Sequence, residues 1–343
     1  MYKPYNKKTT LQQKKIEYVS SYRSIYIQKY IKILWKTLLF STIILSGTSK
    51  IYAKSQYSSF IIDVKEKKTD GFQQDELRYP ASLTKMMTLY IVFEQLKSKK
   101  IHLHTQIPVS RTAAKQNPSK LHLKENTYFT VEQGILALIT RSANDVSTAF
   151  GEFISGSEQK FAMLMSKKAK KIGMNHTIYK NASGLHDKNQ VTTARDQATL
   201  GIMLRKKFPE YYKYFSINNF RYKNRIILNH NKLLNKMQGI DGIKTGYTRN
   251  SGFNIVVSLQ DKDHSIVAVV MGMPTYQKRD QKALQLINSF LNKKILNHKK
   301  KNINDDPIYS SHKKSMMIQK IRSSLHKSKK NPNASTPLNK NKG

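Results

Sequence analysis

The chain reads as an α/β protein of the α+β kind, in which one antiparallel sheet is covered by helices. Three observations predict this. "SSFIIDV" near the start of residues 54–297 has the apolar content of a strand. "GFNIVVSLQ" and "HSIVAVVMGM" near the end flank a short "DKD" turn, as buried strands of a hairpin do. Between these ends the apolar residues follow helical spacing, so the two ends of the domain pair in one sheet and the intervening helices cover it.

Taken in order, residues 1–53 form a basic N-terminal extension. Basic side chains from Lys3 to Lys36 precede "LLFSTIIL" and then "SGTSKIYA". A basic region, a short apolar region and small residues ending at Ala53 predict an export signal, with an uncleaved anchor as the alternative. "SSFIIDV" is then a strand and "KEKKTDGF" the turn after it. "SLTKMMTLYIVFEQLKS" is apolar nearly all round, which describes a central helix rather than a surface one. "TVEQGILALITRS" and "NDVSTAFGEFI" form a helical pair broken at Ser142–Asn144, and "QKFAMLMSKKAKKIG" is a third helix. "NASGLHDKNQVTT" is rich in turn formers and reads as irregular. Asp241-Gly242 marks a turn into a strand, the terminal hairpin follows, and "KRDQKALQLINSFLNKKI" is an amphipathic helix. Residues 298–343 are a basic, low-complexity tail expected to be disordered, in which "SMMIQKIRSSLHK" is a marginal membrane anchor.

Composition narrows the function. The 343 residues hold 61 Lys+Arg against 21 Asp+Glu, a formal charge of +40. Such a balance suits an acidic polymer or a membrane surface as partner, or reflects drift toward lysine on solvated faces. An export signal makes nucleic acid an unexpected partner. The absence of cysteine excludes disulfides, thiolate catalysis and Cys-ligated metals. The ten histidines show no metal-ligand spacing, so neither metal nor cofactor is expected.

Three segments carry chemistry. In "YPASLTKMMTLY", Ser82 and Lys85 stand three apart at the mouth of the apolar helix. Residues at that spacing share a helix face, roughly 5–6 Å apart at Cβ. A serine hydroxyl needs a base within reach, and burial lowers a lysine pKa by up to about 3–5 units, enough to leave it neutral. The same spacing at Ser157/Lys160, Ser311/Lys314 and Ser324/Lys327 lies in polar surroundings and lacks that feature. In "TRSANDVS", Ser142 and Asn144 can project from the helix break, Ser142 to relay a proton and Asn144 to hold a substrate carbonyl, or can simply cap. In "GIDGIKTGYT", Gly246 weakens a strand unless something approaches its backbone closely. Lys244 and Thr245 beside it present a cation and a hydroxyl to an anionic group.

The order S-x-x-K, S-x-N, K-T-G resembles the low-molecular-mass penicillin-binding proteins, the serine-type D-Ala-D-Ala carboxypeptidases of the β-lactamase/DD-peptidase-like superfamily. "PSKLHLKENTYFTV", "NASGLHDKNQVTTARD", "PEYYKYFS", "LNHNKLL" and "DGIKTGYTRNSGFN" also look like that family's segments, and the likeness covers about residues 57–295. It implies a sheet of about five strands with a mostly helical lobe. It further implies Ser82 as acylated nucleophile, Lys85 as base, Ser142 as proton relay and Asn144 as positioning residue. Lys244, Thr245, Gly246 and Tyr247 would bind substrate, with the N–H groups of Ser82 and Tyr247 as oxyanion hole, and Arg249 as a further carboxylate contact. His186 and Asp187 are expected to be solvated. The implied substrates are peptidoglycan stem peptides ending in D-Ala-D-Ala, with β-lactams as covalent inhibitors. Work on them would place the protein in the periplasm or on the outer face of the cytoplasmic membrane.

Members of the family commonly carry a β-rich second domain and an amphipathic C-terminal anchor. Only the basic tail follows here, so neither is expected in that form. A β-lactamase or DD-endopeptidase on the same fold, or a basic wall-polymer-binding protein, are the competing functions. The loop 181–196 contains no glutamate to deacylate penicillin quickly, and the middle motif is S-A-N, which weighs against a β-lactamase. The intact serine, lysine and threonine set weighs against a mere binding protein.

Overall fold

The computed structural model describes residues 57–304, with side chains through Asn292. The expected export signal, and the basic tail after Asn304, lie outside the described residues. β1 (Ser58–Asp63) and β2 (Lys68–Phe72) form a hairpin. "KEKKTDGF" is therefore a turn only over its first residues. Lys68–Phe72 pairs with Ser59–Asp63 as a sheet edge, which its mainly polar, exposed side chains conceal in the sequence.

The short 3-10 turn Ala81–Leu83 runs into α1 (Thr84–Lys97). Every residue of α1 from Thr84 through Phe93 is buried, as a helix without a polar face requires. β3 (Gln106–Pro108), α2 (Arg111–Ala114) and β4 (Tyr128–Thr130) lead to α3 (Val131–Thr140), α4 (Asn144–Ser155) and α5 (Glu158–Lys171). α3 starts at a reciprocal cap, Thr130 accepting from the Gln133 N–H while the Gln133 side chain accepts from Thr130. α4 stops at Gly156 in the left-handed region, φ 76°. Ser157 then caps α5 by accepting the Lys160 N–H, so that rival serine–lysine pair is a helix cap.

α6 (Ala194–Lys207) and α7 (Pro209–Tyr212) precede a second 3-10 turn, Lys213–Ser216, and the hairpin β5 (Asn219–Tyr222)–β6 (Arg225–Leu228). β7 (Ile240–Thr248), β8 (Gly252–Gln260), β9 (Ser265–Met273) and α8 (Tyr276–Asn304) complete the domain. The main sheet has the order β2-β1-β9-β8-β7, antiparallel throughout, so the first and last strands of the domain do meet. Alternate strand residues enter two cores. Phe60, Val256, Val267 and Val269 pack on the helical lobe, while Ile61, Ile255, Val257 and Ala268 pack on Ala283 and Ile287 of α8. Both faces are covered, which is why β8 and β9 read as continuous apolar runs.

Asp241-Gly242 is not a turn. Both residues lie inside β7, with a register shift between Ile240 and Gly242, and the turn before the strand uses Gly239 at φ 86°. Asp241 is held in the strand because its Oδ1 accepts from Arg205 and from Ser258, each at 2.7 Å.

Candidate active site

β7 is the free edge of the sheet, and the 3-10 turn carrying Ser82 lies against it. The approach is close: a Cβ on Gly246 would stand 3.1 Å from the Pro80 carbonyl oxygen and the Ser82 nitrogen, and 3.2 Å from the Leu83 nitrogen. The glycine of K-T-G thus serves the protein's own backbone. Asn254 on β8 fastens the same turn, donating to the Tyr79 and Pro80 carbonyls at 3.0 and 3.2 Å while accepting from the Gly272 N–H at 2.8 Å. Ala81, just before the serine, adopts φ 49° and Ser142 φ 60°. Such conformations cost about 1–3 kcal/mol each in a non-glycine residue and collect at functional sites.

Ser82 and Lys85 meet as their spacing predicts. Lys85 Nζ donates to Ser82 Oγ at 3.1 Å, to Asn144 Oδ1 at 2.7 Å and to the Ser183 carbonyl at 2.6 Å. The side chain is fully buried. Burial holds its pKa well below the ordinary lysine range, the charge on Lys244 lowers it further, and Asp145 and Glu158 oppose them. Asn144 opens α4 and is itself fixed, its N–H donating to the Ser119 carbonyl and its amide to that of Asn117. Asp145 accepts the Leu121 and Leu123 N–H groups, each at 3.1 Å, and so holds the loop that roofs one side of the site.

Ser142 is also buried, and its hydroxyl has no hydrogen-bond partner among the described residues. Unpaired buried hydroxyls are uncommon. Lys244 is buried on β7 with a single acceptor, the Thr245 carbonyl at 3.0 Å. Burial and the nearby Arg279 bring its pKa down to about 7. Ser82, Ser142, Asn144, Thr245, Gly246 and Tyr247 line one cleft of about 1130 Å³. Tyr247 is half exposed and stacks on Phe253, ring centroids 4.2 Å apart.

Arg249 stands apart from this group. It is exposed in the β7–β8 turn and is not among the residues lining the cleft. The arginine that does line it is Arg279 of α8, buried and bonded to Asp280 through Nε at 2.9 Å and Nη2 at 2.7 Å. Its sequence context is an ordinary amphipathic helix, so nothing local marks it. His186 is exposed, packing edge-on against Tyr79 and meeting Asn250 at 3.2 Å. Glu158 was equally invisible. It accepts the Ala182 N–H at 3.0 Å and the Thr148 hydroxyl at 3.2 Å from behind the 181–184 loop, outside the cleft. Gly184 in that loop, at φ 88°, lies so close to the Ala81 carbonyl that any Cβ would collide with it.

A sheet edge facing a serine on a 3-10 turn, with a buried lysine as its hydrogen-bond donor, gives the chain the fold of the penicillin-binding and β-lactamase-like proteins. Residues 58–275 match the Peptidase_S11 family, D-alanyl-D-alanine carboxypeptidase, and the chain belongs to that family. It is 35% identical to the D-alanyl-D-alanine carboxypeptidase DacA of Haemophilus influenzae over 245 residues, 70% of this chain and 61% of that protein. It is 33% identical to DacF of Bacillus subtilis over 214 residues, 61% of this chain and 55% of that protein. The chain thus spans little more than half the length of these relatives. Among solved structures, penicillin binding protein 5 from Haemophilus influenzae superposes with a TM-score of 0.64 at 34% identity, over 67% of this chain and 69% of that one.

Proposed function

We propose that the protein is a penicillin-sensitive serine D-Ala-D-Ala carboxypeptidase that trims peptidoglycan stem peptides through an acyl-enzyme on Ser82. The observation that carries this is the buried Lys85 ammonium 3.1 Å from Ser82 Oγ, with its pKa pushed down. In its neutral form Lys85 takes the Ser82 proton as Oγ attacks the carbonyl of the penultimate D-alanine. The Ser82 and Tyr247 N–H groups receive the oxyanion, a kind of contact worth about 10²–10³ in rate. The Ser142 hydroxyl passes the proton from Lys85 to the departing amine of the terminal D-alanine, whose carboxylate rests on Lys244, Thr245 and Arg279. Water then opens the acyl-enzyme and restores Ser82. The free edge of β7 suits an extended peptide, which can pair with it as an added strand.

Inhibition by β-lactams follows from the same first step, combined with a loop 181–196 that lacks a glutamate to speed hydrolysis of the penicilloyl ester. That its relatives are known as D-alanyl-D-alanine carboxypeptidases and penicillin-binding proteins supports both parts. The basic and apolar N-terminal pattern supports export and action outside the cytoplasmic membrane, with peripheral contact with its outer face through the basic termini. The test is to incubate the purified protein with a fluorescent penicillin and with a peptide ending in D-Ala-D-Ala. Covalent label and released D-alanine are expected, both lost in Ser82→Ala. A label that persists in that variant overturns the assignment.

A further inference from the structure

Beyond the reacting groups, the cleft wall is charged with one sign only. Lys120, Arg141, Arg225, Lys232 and Arg279 line it, and no aspartate or glutamate does. Two of these cations are engaged: Lys120 donates to the Ala114 carbonyl at 3.1 Å, and Arg279 is bonded to Asp280. Arg225 and Lys232, like Arg141 at the end of α3, form no ion pair among the described residues, but these two lie on or beside the β5–β6 hairpin. Lys232 instead stands over the Tyr276 ring, 5.2 Å from its centroid.

Position separates these two from the S-x-x-K and K-T-G groups. Arg225 belongs to β6, and Lys232 lies on the segment that joins this hairpin to β7. The hairpin also lends the cleft Tyr222, Ile227 and the exposed Ile226 and Leu228. Apolar area and unpaired cations therefore occur together. That pairing fits an aliphatic stem ending in an anion better than it fits a neutral peptide. One leaving-residue carboxylate is already accommodated by Lys244 and Arg279, so these further cations face a different part of the substrate.

We propose that Arg225 and Lys232 determine specificity on the acyl-donor side, selecting peptides that carry a carboxylate besides that of the leaving C-terminal residue. This rests on the proposed acylation of Ser82 by D-Ala-D-Ala peptides and adds the charge class of the donor. Exposed charges at a cleft mouth act mainly through long-range attraction, so the preference is salt-sensitive.

The experiment compares two donors with the full-length protein: Nα,Nε-diacetyl-Lys-D-Ala-D-Ala, and the same peptide with succinyl in place of the Nε-acetyl group. Succinyl adds a carboxylate at the end of the lysine stem. Rates are referred to the titre of enzyme that a fluorescent penicillin labels, so a partly unfolded variant does not distort them. The succinyl peptide should show kcat/KM about tenfold higher at low ionic strength, as two screened ion pairs of this kind supply. The ratio should fall toward one in high salt. In the Arg225→Gln/Lys232→Gln variant the ratio should be close to one at every salt concentration. Equal turnover of the two peptides by the labelled wild-type protein, or a ratio that survives the double substitution, overturns the inference alone. Absence of both label and turnover overturns the acylation reading and this inference with it.

Discussion

Lys85 and Lys244 are both fully buried beside the same cleft, yet their surroundings differ. Lys85 on α1 meets three acceptors, and the carboxylates of Asp145 and Glu158 bear on it electrostatically. Lys244 on β7 has one carbonyl, and the charge that bears on it is another cation, Arg279. An ammonium has three N–H donors, so Lys85 is saturated, whereas two of those on Lys244 meet no acceptor among the described residues. In the proposed reaction the first holds a fixed position and exchanges a proton, and the second receives the carboxylate of the leaving residue. Burial lowers both pKa values, and the different partners fit the two to these different proposed tasks.

Removing either lysine tests this division. Lys85→Met should slow penicillin acylation by roughly 10²–10⁴, the range of general base catalysis, in stopped-flow measurements. A loss below about tenfold would take the base role away from Lys85. Lys244→Met should lower peptide kcat/KM by roughly 10–100-fold, as loss of a charged hydrogen bond does. It should also stabilise the fold. The folded pKa of Lys244 is about 7 against 10.5 for the free side chain. Below pH 7 both states are protonated and the folded one bears the whole penalty of a buried charge. Between pH 7 and 10.5 the unfolded state binds more protons, so stability rises with pH and the penalty fades. The variant's gain in melting temperature should therefore be several degrees at pH 6 and near zero at pH 10, by roughly the usual conversion of a few kcal/mol. A gain independent of pH would break the comparison.

The smallest effect is expected at Glu158, which touches Lys85 only through the 181–184 loop and its field. Glutamine keeps an acceptor for the Ala182 N–H and removes the charge. Because that charge raises the Lys85 pKa, Glu158→Gln should move the acidic limb of the acylation profile to lower pH. The maximal rate should change no more than about threefold. An unmoved limb would show that Lys85 is set by desolvation and Lys244 without Glu158.

Legibility in the sequence followed locality. α1 is readable because a helix with no polar face has to be central, and the Ser82–Lys85 pair at its start is a contact between neighbours three residues apart. β8 and β9 were readable from continuous apolar runs. β2 was hidden because an edge strand exposes polar side chains, and the placement of Asp241 in β7 depends on Arg205 and Ser258, residues distant in the chain. α6 had a local signal, Thr193 accepting the Asp196 N–H at its start, that the surrounding turn formers obscured. Arg249 stands out in the sequence because it lies close to K-T-G in the chain, whereas α8 brings Arg279 into the cleft from the far end of the domain.

The sequence by itself determined the Ser82–Lys85 pair, the helix that buries Lys85, and the order of the three motifs, because each depends on residue type and short spacing. Only the tertiary structure decided how those motifs converge. The Ser183 carbonyl and Asn144 fix Lys85, Asn254 and Gly246 press the serine turn onto β7, and Arg279 joins Lys244. Hydrogen bonds and charges act over a few ångströms of space, and chain separation leaves no trace of which residues will share them.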